Sequence, residues 1–203
     1  MAALTLEVLA VAARDRELWQ QAGVTLGLSV NVAPSALLSG DLAAPVLEIL
    51  ARHRVPAGEL TLEITENAVI MDLQRSREAL AGLRDLGIQL SLDDYGTGYC
   101  SLTYLRNLAL DEVKIDRSFV RELVAGSIDA AIVTSTLWLG RELGLRTVAE
   151  GVENPSALQL LRELGCDVAQ GYLLARPVPA DQLLLLPALN WTALTGTRSL
   201  TLT

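Results

Sequence analysis

Seven polar residues stand at or near the ends of short apolar runs in this chain: Asn31, Glu63, Asp93, Asp94, Lys114, Glu150 and Gln170. Four of them are carboxylates. Crowded into one place, these would raise one another's pKa values, and a bound cation would remove that penalty. Every candidate ligand is an oxygen donor. The only histidine, His53, falls in a helical pattern, and the cysteines, Cys100 and Cys166, are not clustered with it. That excludes a zinc site of the His or Cys type and favours Mg²⁺ or Mn²⁺. The pair Asp93–Asp94, in "LSLDDYGTGYCSL" (90–102), is the most specific feature. Adjacent carboxylates repel, but one can bridge two ions while its neighbour ligates the second. Two ions about 3.5–4 Å apart generate hydroxide and stabilise the leaving oxygen in phosphodiester hydrolysis. Lys114 would add positive charge, orienting water or stabilising the phosphorane. The competing reading is a buried Lys–Asp–Glu ion-pair network. Glu66 and Glu153 read either as ligands or as carboxylates bracing a helix N-terminus or a loop.

Six runs look like strands: 26–31, 60–65, 88–94, 112–116, 146–152 and 167–173. Helical patterns at 41–53, 72–87, 127–144 and 154–165 fill most of the gaps, and three of them run into Leu-Gly, which suits a left-handed C-cap. This alternation predicts parallel pairing and an α/β fold. Period two separates the strand faces: Leu60, Leu62 and Ile64 oppose Thr61, Glu63 and Thr65, and Leu28 and Val30 oppose Ser29 and Asn31. A parallel strand covered by helices on both faces should be apolar throughout. Half-polar strands with polar tips instead predict a TIM-type (β/α)8 barrel, whose site lies at the C-terminal ends of the strands. Six units make that barrel incomplete, and 203 residues fall short of the ~250 typical of the fold.

The first 22 residues read as an amphipathic helix with Leu4, Val8, Val11 and Leu18 on its apolar side. They lack the basic start of a signal peptide and carry Glu7 inside the apolar stretch. No apolar run reaches the ~20 residues of a membrane span. Hydrophobic residues make up 51% and aromatics 4%, so the expected core is Leu, Val, Ile and Ala. A net charge of −8 argues against binding to a nucleic-acid polymer. Two cysteines suggest a reducing, cytoplasmic setting, each thiol serving as small apolar filler. Trp138, in an otherwise apolar helix, reads as core packing or as a dimer or partner surface. The domain is expected over 1–189. The tail, 190–203, leaves the pattern; its sequon at Asn190 reads as chance, and "SLTLT" alternates like a strand that could cover a sheet edge.

The segments "LSVN" (28–31), "LTLEITE" (60–66), "LDDYGTGYCSLTYL" (92–105), "VKIDRSFV" (113–120), "VAEGVEN" (148–154) and "LGCDVAQGYLLARPVPA" (164–180) resemble the EAL family of cyclic di-GMP phosphodiesterases, across roughly residues 20 to 188. The resemblance implies hydrolysis of cyclic di-GMP to linear pGpG with Mg²⁺ or Mn²⁺. It implies metal ligands at Asn31, Glu63, Asp93, Asp94 and Glu150, a catalytic lysine at Lys114 and a supporting glutamine at Gln170. Asp116, Arg176 and Pro177 match positions that contact or border the nucleotide. Glu66 matches the glutamate steadying the loop after the aspartates, where Gly96, Thr97 and Gly98 lie and which links metal binding to dimerisation in the family.

The Glu-Ala-Leu motif itself has no counterpart here; "EVL" (7–9) sits in a helix. The resemblance therefore implies two missing strands, one missing metal-ligating carboxylate, a missing substrate-holding arginine and reduced activity. It also implies open sheet edges that a homodimer or a partner chain would close. Tyr95 and Cys100 replace the usual phenylalanine and serine. The alternative is a catalytically silent EAL-like module that binds cyclic di-GMP or a protein partner.

Overall fold

The computed structural model of the chain describes residues 2–97 and 102–185. A 20-residue helix, α1 (Ala2–Gln21), leads into β1 (Leu28–Asn31). After α2 (Pro34–Leu37), α3 (Ala43–Arg52) and a 3₁₀ turn come β2 (Leu60–Thr65), α4 (Glu66–Met71) and α5 (Leu73–Asp85). β3 (Gln89–Tyr95), α6 (Leu102–Asn107), β4 (Glu112–Ile115), α7 (Arg117–Val120) and α8 (Ile128–Leu143) follow. β5 (Arg146–Ala149), α9 (Pro155–Leu164), β6 (Val168–Ala169) and α10 (Ala180–Leu183) complete the order. All six strands pair in parallel and in sequence order, β1 to β6. The sheet curls: Trp19 Nε1 on α1 donates to the Ala180 carbonyl at 2.8 Å, so the first helix meets the segment beyond the last strand. The fold is the expected incomplete barrel, an open curled sheet of six βα units.

Local chemistry explains the elements. Gly144 and Gly165 end α8 and α9 in the left-handed conformation, φ 68° and 76°, as their Leu-Gly endings predicted. Ser127 and Asn154 cap the other ends, accepting from the amides of Ala130 and Ala157. In β2 and β3 the apolar residues Leu60, Leu62, Ile64, Leu90 and Leu92 are wholly buried. Their polar partners are buried too: Thr61, Glu63, Ser91, Asp93, Glu112 and Lys114 line the inside of the sheet. Below the mouth, Glu112 accepts from Ser91 Oγ at 2.9 Å and from Arg146 Nε and Nη2 at 2.7 and 2.6 Å. β5 and β6 stop earlier than their apolar runs, because Gly151 and Gly171 turn the backbone where Val152 packs against Gly171.

One sequence expectation changes, and one left open is decided. Helix α1 buries Thr5, Leu9, Ala13 and Arg16, and leaves Leu4, Val8, Val11 and Leu18 exposed. Apolar residues cover more than half of this helix, and its small Ala13 side allows close approach to β1, α2 and α3. Arg16 decides the rotation: its Nε donates to Leu26 O at 3.0 Å, Nη1 to Gln20 Oε1 at 3.2 Å, and Nη2 pairs with Glu59. Trp138 is not core, being 61% exposed. Among the described residues no helix is long and apolar enough to cross a membrane. Residues 190–203, Gly98 and Cys100 lie outside the described residues.

Cys166 behaves as the filler expected of it. Its thiol donates toward Val168 O at 3.1 Å, and burial pushes its pKa up to about 11. At pH 8 only about one thiol in a thousand is then ionised. In a Cys100→Ser chain, iodoacetamide should label Cys166 at least ~10-fold more slowly in the native state than in urea. Equal rates would show the thiol to be open to reagent.

Candidate active site

The centre of the site is a buried ammonium. Lys114, 3% exposed at the end of β4, lies 2.9 Å from Glu63 Oε2, 2.5 Å from Glu150 Oε1 and 3.5 Å from Asp93 Oδ1. Burial pulls its pKa down, but Glu63, Glu150 and Asp93 outweigh burial and hold it above the ordinary lysine value. One side chain thus ties β2, β3, β4 and the residue after β5. Glu63 is also 3% exposed, and its Oε1 accepts from Ser29 Oγ on β1. Asn31 is exposed at the end of β1, level with Glu63 in the strand register.

Asp93 and Asp94 should face opposite sides of β3 by alternation. They do not, because the β3–β4 register shifts between Leu92 and Tyr95 and Asp94 adopts φ 56°. A bulge re-aims one side chain, and aspartate tolerates the left-handed region better than most residues. Asp93, Asp94 and Glu150 each offer a carboxylate oxygen, all within 4.8 Å of one another. Burial first, then Asp93 and Asp116, raises the Asp94 pKa, and burial raises that of Glu150 despite Lys114. Asp116 goes the other way: burial opposes ionisation, but the Ser118 hydroxyl and amide hold its carboxyl below the usual range. Ionised oxygens packed this closely carry an electrostatic penalty that a hard divalent cation would relieve, so the donor set fits such an ion.

The loop residues connect to this cluster. Thr97 Oγ1 donates to Asp94 O at 2.9 Å, fixing the turn that follows the left-handed residue. Gly96 has φ 102°, and a β-carbon there would meet the Phe119 ring at 3.0 Å. Glu66, buried at the start of α4, lines a cavity of about 380 Å³ with Tyr95, Gly96, Ile128, Ile132 and Thr136. Gln170 donates its backbone amide to Ala149 O at 2.8 Å, beside Glu150. Arg176 and Pro177 are exposed, and the Arg176 guanidinium stacks 4.6 Å from the Tyr172 ring. Glu153 stands apart, pairing with Arg121 Nε at 3.4 Å.

Sequence reasoning missed Tyr172, whose contact with Arg176 is made by the turn that follows β6 and carries no periodic signal. It placed Ser29 on the polar face without giving it a contact, which depends on the β1–β2 register.

The EAL domain family model matches residues 1–177, across the whole of this cluster. The chain belongs to the EAL domain family. The bifunctional diguanylate cyclase/cyclic di-GMP phosphodiesterase MucR of Pseudomonas aeruginosa is 43% identical over 178 residues, covering 87% of this chain and 26% of MucR. This EAL chain thus spans about a quarter of that relative's length. The solved PaMucR phosphodiesterase in its c-di-GMP complex superposes with a TM-score of 0.84 at 41% identity, covering 90% of this chain and 80% of that one. The manganese/cy-diGMP complex of Klebsiella pneumoniae BlrP1 gives a TM-score of 0.77 at 31% identity, covering 87% of this chain and 45% of that one.

Proposed function

We propose that this EAL domain hydrolyses cyclic di-GMP to pGpG, using one or two Mg²⁺ or Mn²⁺ ions held by Asn31, Glu63, Asp93, Asp94 and Glu150. The observation that carries this reading is the convergence of Asp93, Asp94 and Glu150 beside buried Lys114. It is supported by relatives named as cyclic di-GMP phosphodiesterases. Bound ions would activate the attacking water and stabilise the leaving oxygen. The chain's own residues do the rest. Lys114 holds Glu63, Asp93 and Glu150 in register and keeps positive charge beside the scissile phosphate. Asp116, Gln170, Arg176 and Pro177 form the nucleotide side. Glu66, with Gly96 and Thr97, steadies the loop behind Asp94. Glu153 braces the neighbouring loop through Arg121, which supports a structural role for it rather than ligation.

Residues 1–189 constitute the domain in this reading, and the setting is cytoplasmic. The carboxylate of the family's Glu-Ala-Leu motif has no counterpart among these 203 residues, so their turnover by themselves is expected to be slow. Ile128 and Trp138, both exposed on α8, offer an apolar surface for a homodimer, which light scattering would detect.

Incubation of the chain with cyclic di-GMP and Mn²⁺, followed by ion-exchange chromatography, tests the activity. Linear pGpG should accumulate with Mn²⁺ and stop with EDTA. Calorimetric binding without product would point to a silent binding module. Neither binding nor product would sink the nucleotide reading.

A further inference from the structure

We infer that Ser29 is a positioning residue for the metal-binding face of the site, acting through Glu63. The inference rests on the metal-dependent reading above. Glu63 is buried and held from two sides: Lys114 Nζ donates to Oε2 at 2.9 Å, and Ser29 Oγ donates to Oε1. The two donors stand on opposite sides of β2. Lys114 comes from β4, two strands away across the curled sheet, and Ser29 from β1, the adjacent strand. Register explains the contact. Ser29 pairs with Thr61 and Asn31 with Glu63, so Ser29 lies on the inward face two residues below Asn31, diagonal to Glu63. Its hydroxyl approaches the carboxylate from the side of β1, opposite the Lys114 ammonium.

The physical consequence concerns orientation. With only Lys114 as donor, Glu63 would follow the flexible ammonium toward Glu150 and Asp93. Ser29 opposes that pull and fixes the plane of the carboxylate. Hydrogen-bond partners of ligating side chains typically change metal affinity by 10- to 100-fold when removed. Ser29 is a short side chain on the backbone of a strand, so its hydroxyl is already placed and loses little freedom in making the bond.

Three variants of the full chain separate this role from packing. Ser29→Ala removes the donor, Ser29→Thr keeps it, and Ser29→Val has the shape of threonine without the hydroxyl. Mn²⁺ affinity is measured by titration calorimetry, and thermal melting in EDTA is measured alongside. Expected are about tenfold weaker Mn²⁺ binding in the Ala and Val chains and near wild-type binding in the Thr chain. Melting temperatures in EDTA should stay close to wild type for Ala. Mn²⁺ binding by Ser29→Ala within twofold of wild type overturns the inference, as does equal weakening in Thr and Val. A wild-type chain that binds no Mn²⁺ removes the metal reading itself, which is a separate failure.

Discussion

Lys114→Met is expected to lower cyclic di-GMP turnover by ~10²–10³-fold and to destabilise the fold in EDTA by about 3–5 kcal/mol. The two losses have one cause. Lys114 is the cation shared by Glu63, Asp93 and Glu150, and it is almost completely buried. Methionine matches its volume but leaves three carboxylates facing one another in a poorly hydrated interior. Breaking a buried pair from one side costs more than the pair is worth, because the orphaned charge remains. Here several charges are orphaned, and the partial exposure of Asp93 and Glu150 keeps the estimate from rising further. At this chain length the drop corresponds to about 10 °C in melting temperature. Saturating Mn²⁺ should recover more stability in the variant than it adds to wild type, since the ion then replaces the lost positive charge. Differential scanning fluorimetry in EDTA and in Mn²⁺ reads both. A variant melting within 2 °C of wild type in EDTA would show that Lys114 does not hold the carboxylates together. The lysine pKa is raised in the folded state, so its contribution is complete below the unfolded value of ~10.4 and fades only as pH climbs through the folded value. Wild-type melting should show no loss from this group between pH 7 and 9.

Arg16→Ala should cost about 2–4 kcal/mol without touching the site directly. Arg16 is 1% exposed, yet it is not a core hydrophobe. Its guanidinium joins α1 to the segment leading into β1 through Leu26 O, two residues before the strand, and to the entry of β2 through Glu59. Alanine leaves the Leu26 carbonyl without that donor and opens space beneath α1. Glu59 is partly exposed and can regain water, so the full penalty of a buried orphan charge does not apply. Lysine should recover less than half of the loss, because one ammonium cannot reproduce a fork serving three acceptors. Urea unfolding followed by circular dichroism checks both variants. An Arg16→Ala chain as stable as wild type would refute the tether. Any fall in activity should follow the stability loss and be recovered at lower temperature.

Much of the fold was legible because its signals are local. The strand–helix alternation, the Leu-Gly helix ends and the half-polar strands each depend on neighbours a few residues away. The glycines of α8 and α9 cap their helices through a backbone conformation that no other residue adopts as readily. The helix face of α1 was not legible. Apolar side chains cover too much of its circumference for periodicity to choose a side, and a buried arginine made the choice. Trp138 stayed open between core and surface for the same reason, since a large apolar residue on an apolar helix carries no label for which neighbour it meets; the structure exposes it.

The candidate site divides along the same line. Residue types alone determined a set of oxygen donors and one lysine at strand ends, and with it the preference for a hard cation over zinc. The family pattern added roles to those positions. Tertiary structure decided which of them meet. Strict alternation would have sent Asp93 and Asp94 to opposite faces of β3; the register shift and the left-handed backbone of Asp94 bring both carboxylates to the side of Glu150. Ser29 reaches Glu63, and Lys114 reaches three carboxylates, only once β1 to β5 are paired and curled. The sequence by itself determined the chemistry available, because side-chain type is local. The pairing of those side chains depends on strand register and curvature, which arise only when distant segments pack together.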